Sequence, residues 1–389
     1  MNEKEKYLFL KEFVKSEPAI DELLRYAENK FISPKKNNSL PIEDSYIDAW
    51  ESYHEESREI GAFETLKKYV VRLQFPVQEG ISKTEAYKNV TLRGKPNTSN
   101  AGLVLNEPAL IELVIYENNM IGKVPVIIVP NNDDFNTIIS ALTNKNEPQT
   151  LPKSMGASFI NGINNWDRIH RLKKDWLTQN PTGNWNVYFK EHVLPNPHLF
   201  KDKLMVLSTK AYSGITSEII GVSQSDWKSS SLMIRRAHEC AHLFTLQYYG
   251  CMAINMHDEI IADYAGITEV LGKFNKEWFL QFIGLENYPA YRNGGRLQNY
   301  QGTTELSKEA FDGLKTIVKK VADTIFRFDT ILGEITTSSD QLNRIKSICE
   351  TDLITMASSG GVEKLIEKYN CIKISPYHDH KKQENIRRS

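Results

Sequence analysis

His238, Glu239 and His242 stand within RRAHECAHLF, forming an H-E-x-x-H. A helix turns by about 100° per residue, so positions i and i+4 lie nearly one above the other. His238 and His242 then project from one face, one turn apart. That is the separation two imidazoles need to share one tetrahedral zinc. Glu239 points into the same sector. It can reach a water on the metal but is poorly placed to bind the metal beside both histidines, so it occupies the position of a general base. A catalytic zinc wants three protein ligands and one open position. The next block, HDEIIADYAGITEVLG, offers Glu259 and Asp263, again at i and i+4. The connector from Gly250 to Asn255 lets a second helix return antiparallel. Glu259 would then complete the ligand set for one zinc per chain. Asp263 would hold the free ring nitrogen of a ligand histidine, fixing its tautomer and orientation. His257, two residues from Glu259, points elsewhere on that helix and is not counted as a ligand.

H-E-C-A-H followed by E-I-I-A-D resembles the gluzincin group of zinc metallopeptidases, in the form with an HExxH…ExxAD signature. The resemblance covers about forty residues. It implies that His238, His242 and Glu259 bind zinc, that Glu239 activates the attacking water, and that Asp263 orients a histidine. The activity it implies is hydrolysis of peptide bonds by zinc-activated water, with a peptide or protein as substrate. Two other readings of the same residues stay open. One is a zinc-stabilised interaction protein without turnover. The other is a zinc hydrolase acting on a non-peptide amide or ester.

The rest of the chain must position these groups. Ser229, Ser230 and Ser231 offer capping hydroxyls for the motif helix, and Gly250 offers a stop. Its apolar residues lie on more than one side, which predicts a buried helix. Upstream, IELVIYEN and VPVIIVP read as strands joined by a tight connector, a hairpin. Further strand candidates are MGASFING, NWNVYFKEHVL and DKLMVLST, while DDFNTIISALTNK and NWDRIHRLKKDWL read as helices. Zinc peptidases commonly place a small sheet before the motif helix, and its edge strand can pair with an extended substrate. The candidates for that edge are the segments around Met155–Phe159 and Leu204–Ser208. Downstream, a polar aromatic loop carries Tyr291, Arg296 and Tyr300, which could supply a donor for a developing oxyanion. Long helical stretches follow to the end. The expected architecture is α+β: mainly helical, with a small mixed sheet preceding a zincin-like active-site helix. Composition suggests a helical region over 1–100, a mixed region with the sheet over 101–225, and a helical catalytic and C-terminal region over 226–389.

Composition limits the alternatives. Lys and Arg number 48 against 49 Asp and Glu, so the chain has no electrostatic footprint for nucleic acid. No apolar run is long enough for a spanning helix, and the start lacks a signal-peptide core. The four cysteines form no C-x-x-C pair. Together these predict a cytoplasmic protein with reduced thiols and no membrane association. His378 and His380 near the C-terminus suggest a second metal site only weakly, since no further ligand is near in sequence.

Overall fold

The computed structural model describes residues 1–32, 46–98, 102–152, 155–302 and 305–374; His378 and His380 lie outside them. The chain starts with helices α1 (Glu3–Leu10), α2 (Glu17–Tyr26), α3 (Ile47–Ile60), α4 (Ala62–Tyr69) and α5 (Glu85–Arg93). Strands β1 (Glu112–Asn118) and β2 (Gly122–Val129) come next, then α6 (Asn132–Thr143), β3 (Ala157–Asn164) and α7 (Trp166–Gln179). After the short α8 (Trp185–Tyr188) come β4 (Lys201–Ser208), α9 (Ser217–Ile220) and the long α10 (Gln224–Tyr248). The remainder is helical: α11 (Met256–Leu271), α12 (Lys276–Ile283), α13 (Lys308–Leu332), α14 (Ser338–Cys349), α15 (Leu353–Ala357) and α16 (Gly361–Ile374). The fold is therefore α+β and mainly helical, with one small mixed sheet. No helix among the described residues is long and apolar enough to cross a membrane.

Contacts group the chain into two compact units, residues 39–239 and residues 1–38 with 240–389. The composition-based division places residues 1–100 together, whereas α1 and α2 fall in the second unit and α3 to α5 in the first. Helix α10 carries the chain from one unit to the other between Glu239 and Cys240.

In the unit of residues 39–239 the strand order is β1-β2-β4-β3. β1 and β2 form the expected antiparallel hairpin, β2 and β4 run parallel, and β3 and β4 run antiparallel. Residues 124–129 of β2 and 204–207 of β4 are continuously apolar and buried, as strands in the middle of a covered sheet must be. Val129, Ile127, Leu204 and Val206 pack with Trp50, Phe135 and Ile138. Each such side chain contributes about 1.5–3 kcal/mol when buried. Asp202 on β4 is fully buried and ion-pairs with Arg168 of α7. It also accepts hydrogen bonds from Trp50 Nε1 at 2.8 Å and Asn165 Nδ2 at 2.6 Å. This polar knot ties α3 and α7 to the sheet and satisfies a charge that would be costly to bury alone.

Two local expectations are corrected in this unit. Residues 185–193, expected as a strand, are helical. Asn184 caps their start by accepting from the N–H groups of Asn186 and Val187. Trp185, Tyr188, Phe189 and His192 then fall at helical spacing, where their rings meet. Leu204–Ser208 cannot be an edge, because β4 has a neighbour on each side; β3 and β1 are the edges.

The described residues of the other unit form helices and their connections, with no strand. Thirteen consecutive residues of α11, Met256 to Thr268, are buried, so this helix forms the unit's centre. Tyr264 donates to Asp329 Oδ1 at 2.6 Å, and Arg344 donates to the same oxygen at 2.8 Å. The Phe274 N–H takes the other oxygen at 2.7 Å. The start of α11 is held by α2: the Tyr26 hydroxyl accepts from Met256 N–H at 2.8 Å and donates to the Tyr300 carbonyl at 2.6 Å.

Candidate metal centre

Helix α10 starts earlier than the serine triplet suggests. Ser223 accepts from Asp226 N–H at 3.1 Å and donates to its carboxylate at 2.7 Å, a reciprocal cap. Ser231 lies inside the helix and accepts from Tyr212 N–H at 3.0 Å. One turn further on, Arg235 donates to the carbonyls of Ser208 at 3.1 Å and Ala211 at 2.9 Å. Gly156, just ahead of β3, packs so closely on Arg235 that a Cβ there would lie 2.5 Å from Nε. The β4–α10 connection thus fixes the rotation of the helix ahead of His238.

His238 and His242 are one turn apart on α10, and both are buried. The Tyr212 hydroxyl and His238 Nδ1 are hydrogen-bonded at 2.9 Å. With Nδ1 engaged, Nε2 is the nitrogen that His238 would give a metal. His242 is flanked on both ring nitrogens: Asp258 Oδ2 lies 3.3 Å from Nδ1, and Glu259 Oε1 lies 3.4 Å from Nε2. Asp258 is in turn clasped by the N–H groups of Ala253 at 3.1 Å and Ile254 at 3.4 Å. Ile254 takes φ of +50° in that connector, a strained value for a β-branched residue. Burial disfavours a charge on His242, but the carboxylates of Asp258 and Glu259 prevail and hold its pKa well above the usual histidine value. Burial likewise pushes Asp258 up, and the His242 ring outweighs it, leaving that carboxyl below its ordinary value. Both shifts report a spot that favours positive charge.

One donor atom from each of His238, His242 and Glu259 lies within 4.8 Å of the others. Two atoms bound to one tetrahedral zinc at about 2.0–2.1 Å stand about 3.4 Å apart. The His242 Nε2 to Glu259 Oε1 separation is 3.4 Å, and two imidazoles with one carboxylate are a zinc donor set. The residues therefore fit the metal. Glu239, only 8% exposed, makes no hydrogen bond or ion pair with another described residue. Its place on α10 is beside both histidines, and neither carboxylate oxygen is sealed from solvent, so the group is open to a water.

The remaining candidates fall out differently. Asp263 contacts Arg296, whose Nη2 lies 3.1 Å from both carboxylate oxygens. The same nitrogen donates to Glu259 Oε2 at 2.9 Å. Tyr291 spends its phenol on its own loop, donating to the Gly295 carbonyl at 2.5 Å and accepting from Gln298 N–H at 3.1 Å. Tyr300 is the phenol beside Glu259: burial first, then the Glu259 charge, push its pKa up against the opposing pull of Arg296. It stays a neutral donor. Asp258 and Tyr212 are the partners sequence reasoning missed. Asp258 adjoins Glu259 and could have been found as a carboxylate one turn from the connector; nothing in the spacing of Tyr212 marks it. His257 is structural, with Nε2 at 2.9 Å from the Ile348 carbonyl.

No curated protein and no solved structure matches the chain. The model of the family of unknown function DUF7005 matches residues 8–360, a span that includes every residue of this site, and the chain belongs to that family.

Proposed function

We propose that this chain is a zinc-dependent metallopeptidase of the gluzincin type, holding one zinc on His238, His242 and Glu259. The observation that carries the reading is the convergence of these three donors, with Glu239 on the same helix between the two histidines. Zinc in such a site supplies a Lewis acid that polarises a carbonyl and acidifies water. Glu239 takes the proton of the attacking water and passes it to the leaving nitrogen. Tyr300, a neutral phenol beside Glu259, donates toward the carbonyl oxygen as charge develops there. Tyr212 and Asp258, each beside an Nδ1, would hold the two imidazoles so that Nε2 is the nitrogen offered to a metal. β3 is an edge strand whose start abuts Arg235, one turn ahead of His238 on α10. An extended peptide can pair with such an edge through main-chain hydrogen bonds, which supports a peptide or protein as the substrate. None of the four cysteines is in a disulfide, which suits a reducing, cytoplasmic setting.

Glu239→Gln is the direct test. The zinc-loaded variant retains the metal and loses hydrolysis of a mixed peptide library by at least a hundredfold, the scale of a lost general base. A variant as active as the wild type would remove Glu239 from the chemistry. No hydrolysis by the zinc-loaded wild type across peptide, amide and ester libraries would remove the enzyme reading.

A further inference from the structure

The two oxygens of Glu259 are divided between different neighbours. Oε1 faces His242 Nε2 at 3.4 Å, and Oε2 is taken by Arg296 Nη2 at 2.9 Å. The same guanidinium bridges to Asp263 at 3.1 Å. All three residues are buried, with Arg296 7% exposed. A carboxylate with both oxygens available can grip a metal through one or both, and the two modes give different coordination numbers. Here one oxygen is already spoken for by a charge-assisted hydrogen bond.

The loop that brings Arg296 there is built for fixed delivery. Gly284 at the end of α12 and Gly295 touch backbone to backbone: a Cβ on Gly295 would lie 2.7 Å from the Ile283 carbonyl oxygen and 2.8 Å from Gly284 Cα. Gly284 also sits at φ of +87°, so it is glycine for two reasons. Arg292 N–H donates to the Gly284 carbonyl at 2.9 Å, and the Tyr291 hydroxyl donates to the Gly295 carbonyl at 2.5 Å. The guanidinium is thus placed by a rigid turn, not by a free arm.

We infer that Arg296 is a positioning residue that holds Glu259 to single-oxygen coordination and so keeps the metal four-coordinate with one position open. The inference rests on the metal reading above and specifies how that site is tuned. Removing the guanidinium takes away the charge-assisted bond on Oε2; that oxygen could then join Oε1, and two imidazoles, two carboxylate oxygens and a water would make five donors, crowding the approach of a substrate oxygen.

The test uses cobalt(II) alone, loaded into the full chain, because its visible absorption reports coordination number: four-coordinate cobalt absorbs strongly and five-coordinate cobalt weakly. Wild type shows the intense four-coordinate bands. Arg296→Gln shows weaker, shifted bands. Arg296→Lys, which keeps the charge and protects the fold but offers one nitrogen in place of a fork, gives an intermediate spectrum. Wild-type spectra in both variants would overturn the role of Arg296 while leaving the metal site standing. No cobalt bands in the wild type would overturn the metal site, and this inference with it.

Discussion

Asp258 Oδ2 lies 3.3 Å from Nδ1 of His242, and the connector between α10 and α11 is bent to keep it there. Two backbone N–H groups donate to that same oxygen, and Ile254 accepts a left-handed conformation in the process. Strain of this kind persists only where the surroundings over-determine it. The carboxylate faces an imidazole whose other nitrogen faces Glu259.

Asp258→Asn keeps the shape and removes the charge. Partners of this kind are worth ten- to a hundredfold in metal affinity. Zinc affinity, measured by competition with a chromogenic chelator, falls by about that factor. Unchanged affinity would mean that Asp258 serves the connector alone.

Tyr212→Phe removes the hydroxyl at His238 Nδ1 and keeps the ring, which packs against both His238 and Arg235. The fold survives, and zinc affinity falls about tenfold as the imidazole loses its fixed orientation. A drop in melting temperature with no change in affinity would instead mark Tyr212 as a packing residue.

Acid stability has an identifiable contributor away from the site. Asp352 caps α15, accepting from Thr355 N–H at 3.0 Å, and pairs with Lys6 at 2.9 Å. Burial pushes its carboxyl up, but Lys6 and Thr355 outweigh that and hold it below the ordinary aspartate value. A carboxyl whose pKa drops on folding stabilises the protein above its unfolded pKa, and that stability is lost as pH falls through the folded value. Wild type therefore loses stability on acidification below about pH 4, and Asp352→Asn loses less over the same interval. Urea midpoints at stepped pH values measure it; parallel curves for the two proteins would count against the assignment.

The candidate metal-binding pair was legible because helical spacing is local: i and i+4 place His238 over His242 whatever the rest of the chain does. The hairpin was legible from its apolar runs and the short connector between them. Residues 185–193 were misread because aromatic residues suit either structure, and the Asn184 cap decided for the helix. The start of α10 was misplaced because three serines competed with Ser223, and only Ser223 has an acid at the third helical position to complete the cap. Tyr212 and Arg296 reach their partners through tertiary contacts that no periodicity encodes. Arg296 was expected to face an oxyanion; its contacts are with the carboxylates of Glu259 and Asp263.

The most direct test of the central claim is metal content per chain, measured by mass spectrometry on wild type and His242→Ala prepared side by side with zinc supplied. One zinc per wild-type chain and little in the variant is the expected result. Wild type with no bound zinc, or His242→Ala with as much as wild type, would contradict the assignment of His238, His242 and Glu259 as a metal centre.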